Sequence, residues 1–254
     1  MKGPTQLVWF KRDLRVEDHR PLAEAAKRGP VVCLYVYEPE LHGSAEFTSA
    51  HLVFLNESLQ SLDHSLRELG GNLVLHRGAV TEVLQTLWRE ISFAELWSHE
   101  ETGSGLTYRR DREVGAWCSE RGIPWNEFRQ DGVVRRLRSR NGWSKNWEEF
   151  MRGPVSSVPG IRGVDGLRSG GILGPEELGL PPSDKPDAQK GGEAAARRTL
   201  HAFLTDRGVN YRAAMSSPLD GWVACSRISP YLSFGCISMR TVVANLGERR
   251  LALR

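Results

Sequence analysis

The sequence predicts a doubly wound α/β fold: a five-stranded, Rossmann-like parallel sheet with helices on both faces. Three observations carry this. Short apolar runs alternate with amphipathic segments through residues 5–128, at the spacing of repeated strand–helix units. The run Val31–Tyr37 is hydrophobic along its whole length, as a strand covered on both faces must be. Gly29-Pro30 and Gly70-Gly71 punctuate the pattern where helices should end.

Thr5–Phe10 is the first strand, rich in apolar and aromatic residues. A charged loop from Lys11 to His19 follows, then a helix over 20–28 and the strand 31–37. Between His51 and Leu69, apolar residues fall at 52, 55, 59, 62, 66 and 69, which marks an amphipathic helix. Strand three covers 72–76, a helix 79–90, strand four 93–98, a helix 108–121 and strand five 124–128. Right-handed crossovers give the strand order 3-2-1-4-5, with ligands at the carboxyl ends near the switch point between strands one and four. The pattern breaks near Arg129. Residues 155–192 are rich in Gly, Pro, Ser and Asp and read as an interdomain linker or functional loop open to proteolysis. A helix returns at 193–204. Another is expected from Ser229, with the apolar side chains of Leu232, Phe234, Ile237 and Val242 standing unpacked.

With 254 residues, 40% hydrophobic and 26% charged, the composition is that of a soluble globular protein. No apolar run approaches eighteen residues, and four cysteines without CxxC spacing read as reduced thiols, so a cytoplasmic location is expected. There is no P-loop, GxSxG, HExxH or GxGxxG, and no metal-ligand spacing. The net charge of +3 decides nothing, but Arg129, Arg135, Arg136, Arg138, Arg140 and Lys145 fall within seventeen residues. With Trp143 and Trp147 interleaved, that run fits either nucleic-acid phosphates and bases or a solvated strand end whose tryptophans anchor the linker.

Three stretches are candidates for chemistry. Lys11-Arg-Asp-Leu-Arg15 ends strand one where this fold places ligands; equally, its charges could pair with each other and cap the next helix. His99-Glu100-Glu101 follows strand four as a ligand loop or a solvated acidic loop. In Cys225-Ser-Arg-Ile-Ser-Pro230, Ser229 is placed to cap a helix whose first residue is Pro230. Free backbone N–H groups, serine hydroxyls and Arg227 would converge there on a phosphate.

Taken in order, these stretches resemble the photolyase/cryptochrome family. Val8–Arg15 is similar to its opening element, and Trp97–Glu101 with Arg110–Val114 to its fourth strand, loop and helix. Asn141–Trp147 is similar to the exit from its α/β domain, and Gly191–Arg240 to the opening of its flavin domain. The resemblance implies an antenna domain over 4–134, a linker over 135–192 and an incomplete start of an all-α FAD-binding domain over 193–254. Cys225, Ser226, Arg227, Ile228 and Ser229 would hold the flavin pyrophosphate, with Tyr211 contacting the same phosphates. Cys225 and Ile228 stand where the family has threonine and leucine. Glu101 would hydrogen-bond an antenna chromophore, a reduced folate or deazaflavin.

The activity implied is that of a deoxyribodipyrimidine photo-lyase, in which light-excited reduced flavin splits cyclobutane pyrimidine dimers in damaged DNA. No membrane or protein partner is implied. Catalytic groups are expected beyond residue 254, so this chain alone would be inactive. Two other readings stay open: a cryptochrome photoreceptor, and a stand-alone pigment- or nucleotide-binding module.

Overall fold

The computed structural model describes residues 3–252. Five strands, β1 (Gln6–Phe10), β2 (Val31–Tyr37), β3 (Leu73–Arg77), β4 (Glu95–His99) and β5 (Trp125–Phe128), form one parallel sheet in the expected order β3-β2-β1-β4-β5. Along β1, Val8 and Phe10 face one layer while Leu7 and Trp9 face the other. The first layer is made by α1 (Arg20–Arg28) and α3 (Ser49–Glu68), the second by α4 (Val80–Ile91) and α5 (Gly105–Glu120). A short helix, α2 (Pro39–His42), follows β2.

Beyond β5, three features differ from expectation. Residues 143–151 are not a strand end: they form α6 (Trp143–Met151), opened by Gly142 in the left-handed region. Trp147 does anchor it, since a Cβ at Gly132 would collide with the indole, while Trp143 stays exposed.

The linker is a strap pinned to the sheet edge and to α3. Val31 N–H donates to the Arg162 carbonyl at 2.8 Å, and Ile161 N–H to that of Leu69 at 2.7 Å. Gly170 N–H donates to the Leu75 carbonyl at 2.7 Å, Ser169 Oγ accepts from Leu75 N–H at 2.9 Å, and Asn56 holds the Leu173 carbonyl at 2.8 Å. Backbone groups on the outer strand that would otherwise be unpaired are covered in this way. Gly70, at φ 96°, allows the approach, because a Cβ there would come within 2.6 Å of the Ile161 carbonyl oxygen.

The third difference lies in the C-terminal segment: α7 (Glu193–Thr205), α8 (Tyr211–Ala214), α9 (Gly221–Ala224), α10 (Ser229–Ser233) and α11 (Met239–Ala252). Ile237 and Val242 are buried, and Leu232 and Phe234 are half-buried, in the core that α1 and α3 share with α7. They pack on the α/β layer instead of awaiting further helices. Exposed apolar side chains sit earlier, at Val209, Leu219, Trp222 and Val223.

Ser229 is also not a cap. It is the first residue of a five-residue turn whose cap position, Ile228, makes no side-chain bond. The chain turns again at Gly235, and α11 starts after Ser238, whose Oγ accepts from Thr241 N–H at 3.0 Å.

Candidate functional site

The carboxyl ends of β1, β2 and β4 open onto a cavity of about 350 Å³, at the switch point of the strand order. Its walls include Phe10, Tyr35, Leu55 and Phe47, with Phe234 of the C-terminal segment closing one side. His42 donates through Nδ1 to the Glu38 carbonyl (2.8 Å), so its Nε2 accepts from the Tyr35 hydroxyl (3.3 Å). Burial lowers the His42 pKa and raises that of Tyr35, which keeps both neutral.

Charge is concentrated on the opposite wall. Arg110 bonds Glu38 (2.7 Å), Asp111 (2.8 Å) and Glu101 (3.3 Å), while Lys11 and Arg135 both reach Asp111. The guanidinium of Arg110 and the ammonium of Lys11 lie over Trp9, at 4.8 and 4.7 Å from the ring centre. Burial raises the Glu38 pKa, against the pull of Arg110. Glu101, in the loop after β4, lines the cavity. Its carboxylate already accepts from Thr102 N–H (2.9 Å), Gly103 N–H (2.8 Å) and Arg110, which leaves lone-pair capacity on Oε2.

Beneath the cavity, Asp13 joins the first two candidate stretches. Its Oδ1 accepts from Lys11 N–H at 2.7 Å; its Oδ2 accepts from His19 Nε2 at 3.0 Å and His99 Nδ1 at 2.7 Å. His19 Nδ1 in turn accepts from Leu22 N–H at 3.1 Å and caps α1. A nitrogen that accepts leaves the proton on the other, so His19 Nε2 donates and cannot also ligate a cation. Burial would raise the Asp13 pKa, but its contacts with His19 and His99 hold it well below the ordinary range. Burial and the neighbouring His19 drive His99 down to about 3. The group is thus one carboxylate held by two imidazoles, a device that aligns β1, α1 and β4.

A second cavity, of about 400 Å³, lies against α7 and α10. Lys190, Arg198, Arg207 and Arg227 line it together with Thr199, Trp222 and Tyr231, and among the described residues no carboxylate does. Arg227 holds φ 55° and stacks over Trp222 at 3.8 Å, with its carbonyl held by Gln189 at 2.9 Å. Arg207 clasps the carbonyls of Cys225 (2.7 Å), Thr199 (3.0 Å) and Ser226 (3.3 Å).

Of the residues expected to grip phosphate, only Arg227 lines this cavity. Cys225 and Ser226 meet it only through their carbonyls, which Arg207 holds, Ile228 is buried in the core, and Ser229 is exposed on the turn. Tyr211 does not reach it; its ring packs edge-on against Phe203 at 5.8 Å. Sequence reasoning missed Lys190, Arg198 and Arg207, which are separated in the chain and carry no motif.

A family model described as DNA photolyase matches residues 6–142. The chain belongs to the DNA photolyase family. A deoxyribodipyrimidine photo-lyase of Halobacterium salinarum is 29% identical over 93% of this DNA photolyase family chain and 53% of its own. A cryptochrome DASH of Gloeobacter violaceus is 29% identical over 95% of this chain and 53% of its own. The chain therefore spans about half the length of the curated relatives it matches. The crystal structure of a Synechocystis cryptochrome superposes with a TM-score of 0.80 at 22% identity, covering 99% of this chain and 56% of that one. That likeness establishes the shared fold.

Proposed function

We propose that this chain is the α/β antenna part (4–134), linker (135–192) and beginning of the flavin part (193–254) of a deoxyribodipyrimidine photolyase-type flavoprotein. Its partner in that role is damaged DNA, and its cofactor is FAD. The supporting observation is the second cavity: four cations, with no carboxylate among the described lining residues, suit a pyrophosphate. Trp222 and Tyr231 add aromatic surface beside it.

Bound there, reduced FAD would supply light-driven electron transfer to a cyclobutane pyrimidine dimer. The residues of this chain contribute grip and position. Arg227, Arg198 and Lys190 offer charge-assisted donors to the phosphates, and Arg207 fixes the carbonyls of residues 225 and 226 so that the loop keeps its shape. The switch-point cavity fits a flat antenna chromophore of the folate or deazaflavin class. It has apolar walls, and acceptors at Glu38 and Glu101 for ring N–H groups.

The test is FAD binding by the chain, followed as quenching of flavin fluorescence, with riboflavin as the phosphate-free control. FAD should bind more tightly than riboflavin. Arg227→Ala should lose about 2 kcal/mol of FAD affinity, roughly thirtyfold, and leave riboflavin unchanged. Cys225→Thr should bind FAD at least as well as the parent. If Arg227→Ala retained FAD as tightly as the parent, the phosphate assignment would be wrong.

A further inference from the structure

Between Gly132 and Trp147 the chain carries five cations, Arg135, Arg136, Arg138, Arg140 and Lys145, and no carboxylate. Arg135 is absorbed by the site, bonded to Glu127 and Asp111. The other four are exposed. Among the described residues Arg138 and Arg140 form no ion pair, and Lys145 has only a loose, exposed pair with Glu149 at 3.9 Å. A charged surface that merely keeps a protein soluble normally mixes both signs. Here one sign persists over sixteen residues.

Two aromatic rings stand in this surface. Tyr108 is 49% exposed, with its hydroxyl 3.4 Å from Arg136, and Trp143 is 42% exposed at the first residue of α6. The hydrogen bond and charge of Arg136, with Arg112 and Arg135 behind it, pull the Tyr108 pKa below its ordinary value, a sign of the local positive field. Gly142 caps α6 without a side chain, so the positive end of that helix adds to the field.

We propose that Arg136–Lys145, with Tyr108 beside it, is a lesion-independent binding surface for single-stranded nucleic acid. Phosphates pair with Arg136, Arg138, Arg140 and Lys145, while a base stacks on Trp143. A bilayer fits less well, because the apolar side of α6 (Trp147, Phe150 and Met151) is turned into the protein and leaves no amphipathic face. No flavin is required, so this surface and the photochemical reading can fail independently.

The measurement is fluorescence anisotropy of a labelled sixteen-residue oligothymidylate with the chain, in the dark and without added flavin. With four phosphates neutralised, affinity should fall about 50-fold between 50 and 200 mM salt, from a slope of roughly −0.7 per contact. The triple variant Arg136→Ser, Arg138→Ser, Arg140→Ser should fall only about threefold over the same range. Trp143→Ala should weaken binding about tenfold at fixed salt without changing the slope, and Trp143→Phe should recover most of it. No salt-dependent binding by the unmodified chain would overturn the proposal. So would an unchanged slope in the triple variant, or binding to phosphatidylserine vesicles in place of the oligonucleotide.

Discussion

Asp13, His19 and His99 show how a sheet assembles what a sequence separates. The charged loop after β1 was legible as a set of groups that pair and cap, and His19 does cap α1. The part played by His99 was not, because it lies 86 residues from Asp13 and meets it only where β4 docks beside β1. The same pairing brings Arg110 and Glu101 to the cavity wall. At this scale pH is the natural probe. His99 has a folded-state pKa near 3, below its ordinary 6.5. The unfolded chain therefore takes up a proton between those values that the folded chain refuses, and stability falls as pH drops from about 6.5 toward 3. His99→Asn keeps an N–H for Asp13 and removes the titration. Its unfolding free energy in urea should accordingly fall less steeply with acid, by about 1.4 kcal/mol per pH unit within that window. Parallel acid limbs for parent and variant would contradict this account.

Among the elements, the strands and helices of the α/β layer follow from periodicity, and their boundaries differ from expectation by only a few residues. The region after Ser229 does not follow. One serine at a plausible cap position was read as the start of a long helix, while the functional cap is Ser238, nine residues on. Between them Gly235, at φ 67°, lets the chain press against the Arg12 carbonyl, and Phe234 O accepts from Leu14 N–H at 3.2 Å. Besides its share of the core, α11 is fastened by a buried ion pair: Arg240 donates to both Asp18 oxygens, at 3.0 and 2.5 Å. Asp18 sits at φ 54°, a conformation asparagine also tolerates, so Asp18→Asn tests the charge without disturbing the backbone. Loss of the carboxylate leaves a buried guanidinium uncompensated and should cost about 3 kcal/mol in denaturant unfolding. A cost near zero would mean that packing of Ile237 and Val242, not the ion pair, holds the helix.

For the whole molecule, fold class and strand order were legible, while the path of residues 155–192 was not. Their contacts run through backbone groups and glycines, which leave no hydrophobic period to read. Proteolysis reads the difference. Brief treatment with a nonspecific protease should cut first within 182–188 or 136–142, where the chain is exposed and sparsely bonded. The 161–173 strap should resist. After a cut within 182–188, the two pieces should still co-elute on gel filtration, because α7, α10 and α11 share a core with α1 and α3. Separation of the pieces would show that the shared core is too weak to hold them.

The turn α10 belongs to two cavities at once. Tyr231 lines the cationic one and Ser233 the switch-point one, and Phe54 contacts both Tyr231 (5.3 Å) and Phe234 (5.0 Å). A ligand that immobilises this turn from one side spares the ligand on the other part of the ordering entropy. By thermodynamic linkage the effect would be mutual: two ligands that each order α10 would bind with positive cooperativity, each tightening the other in a titration.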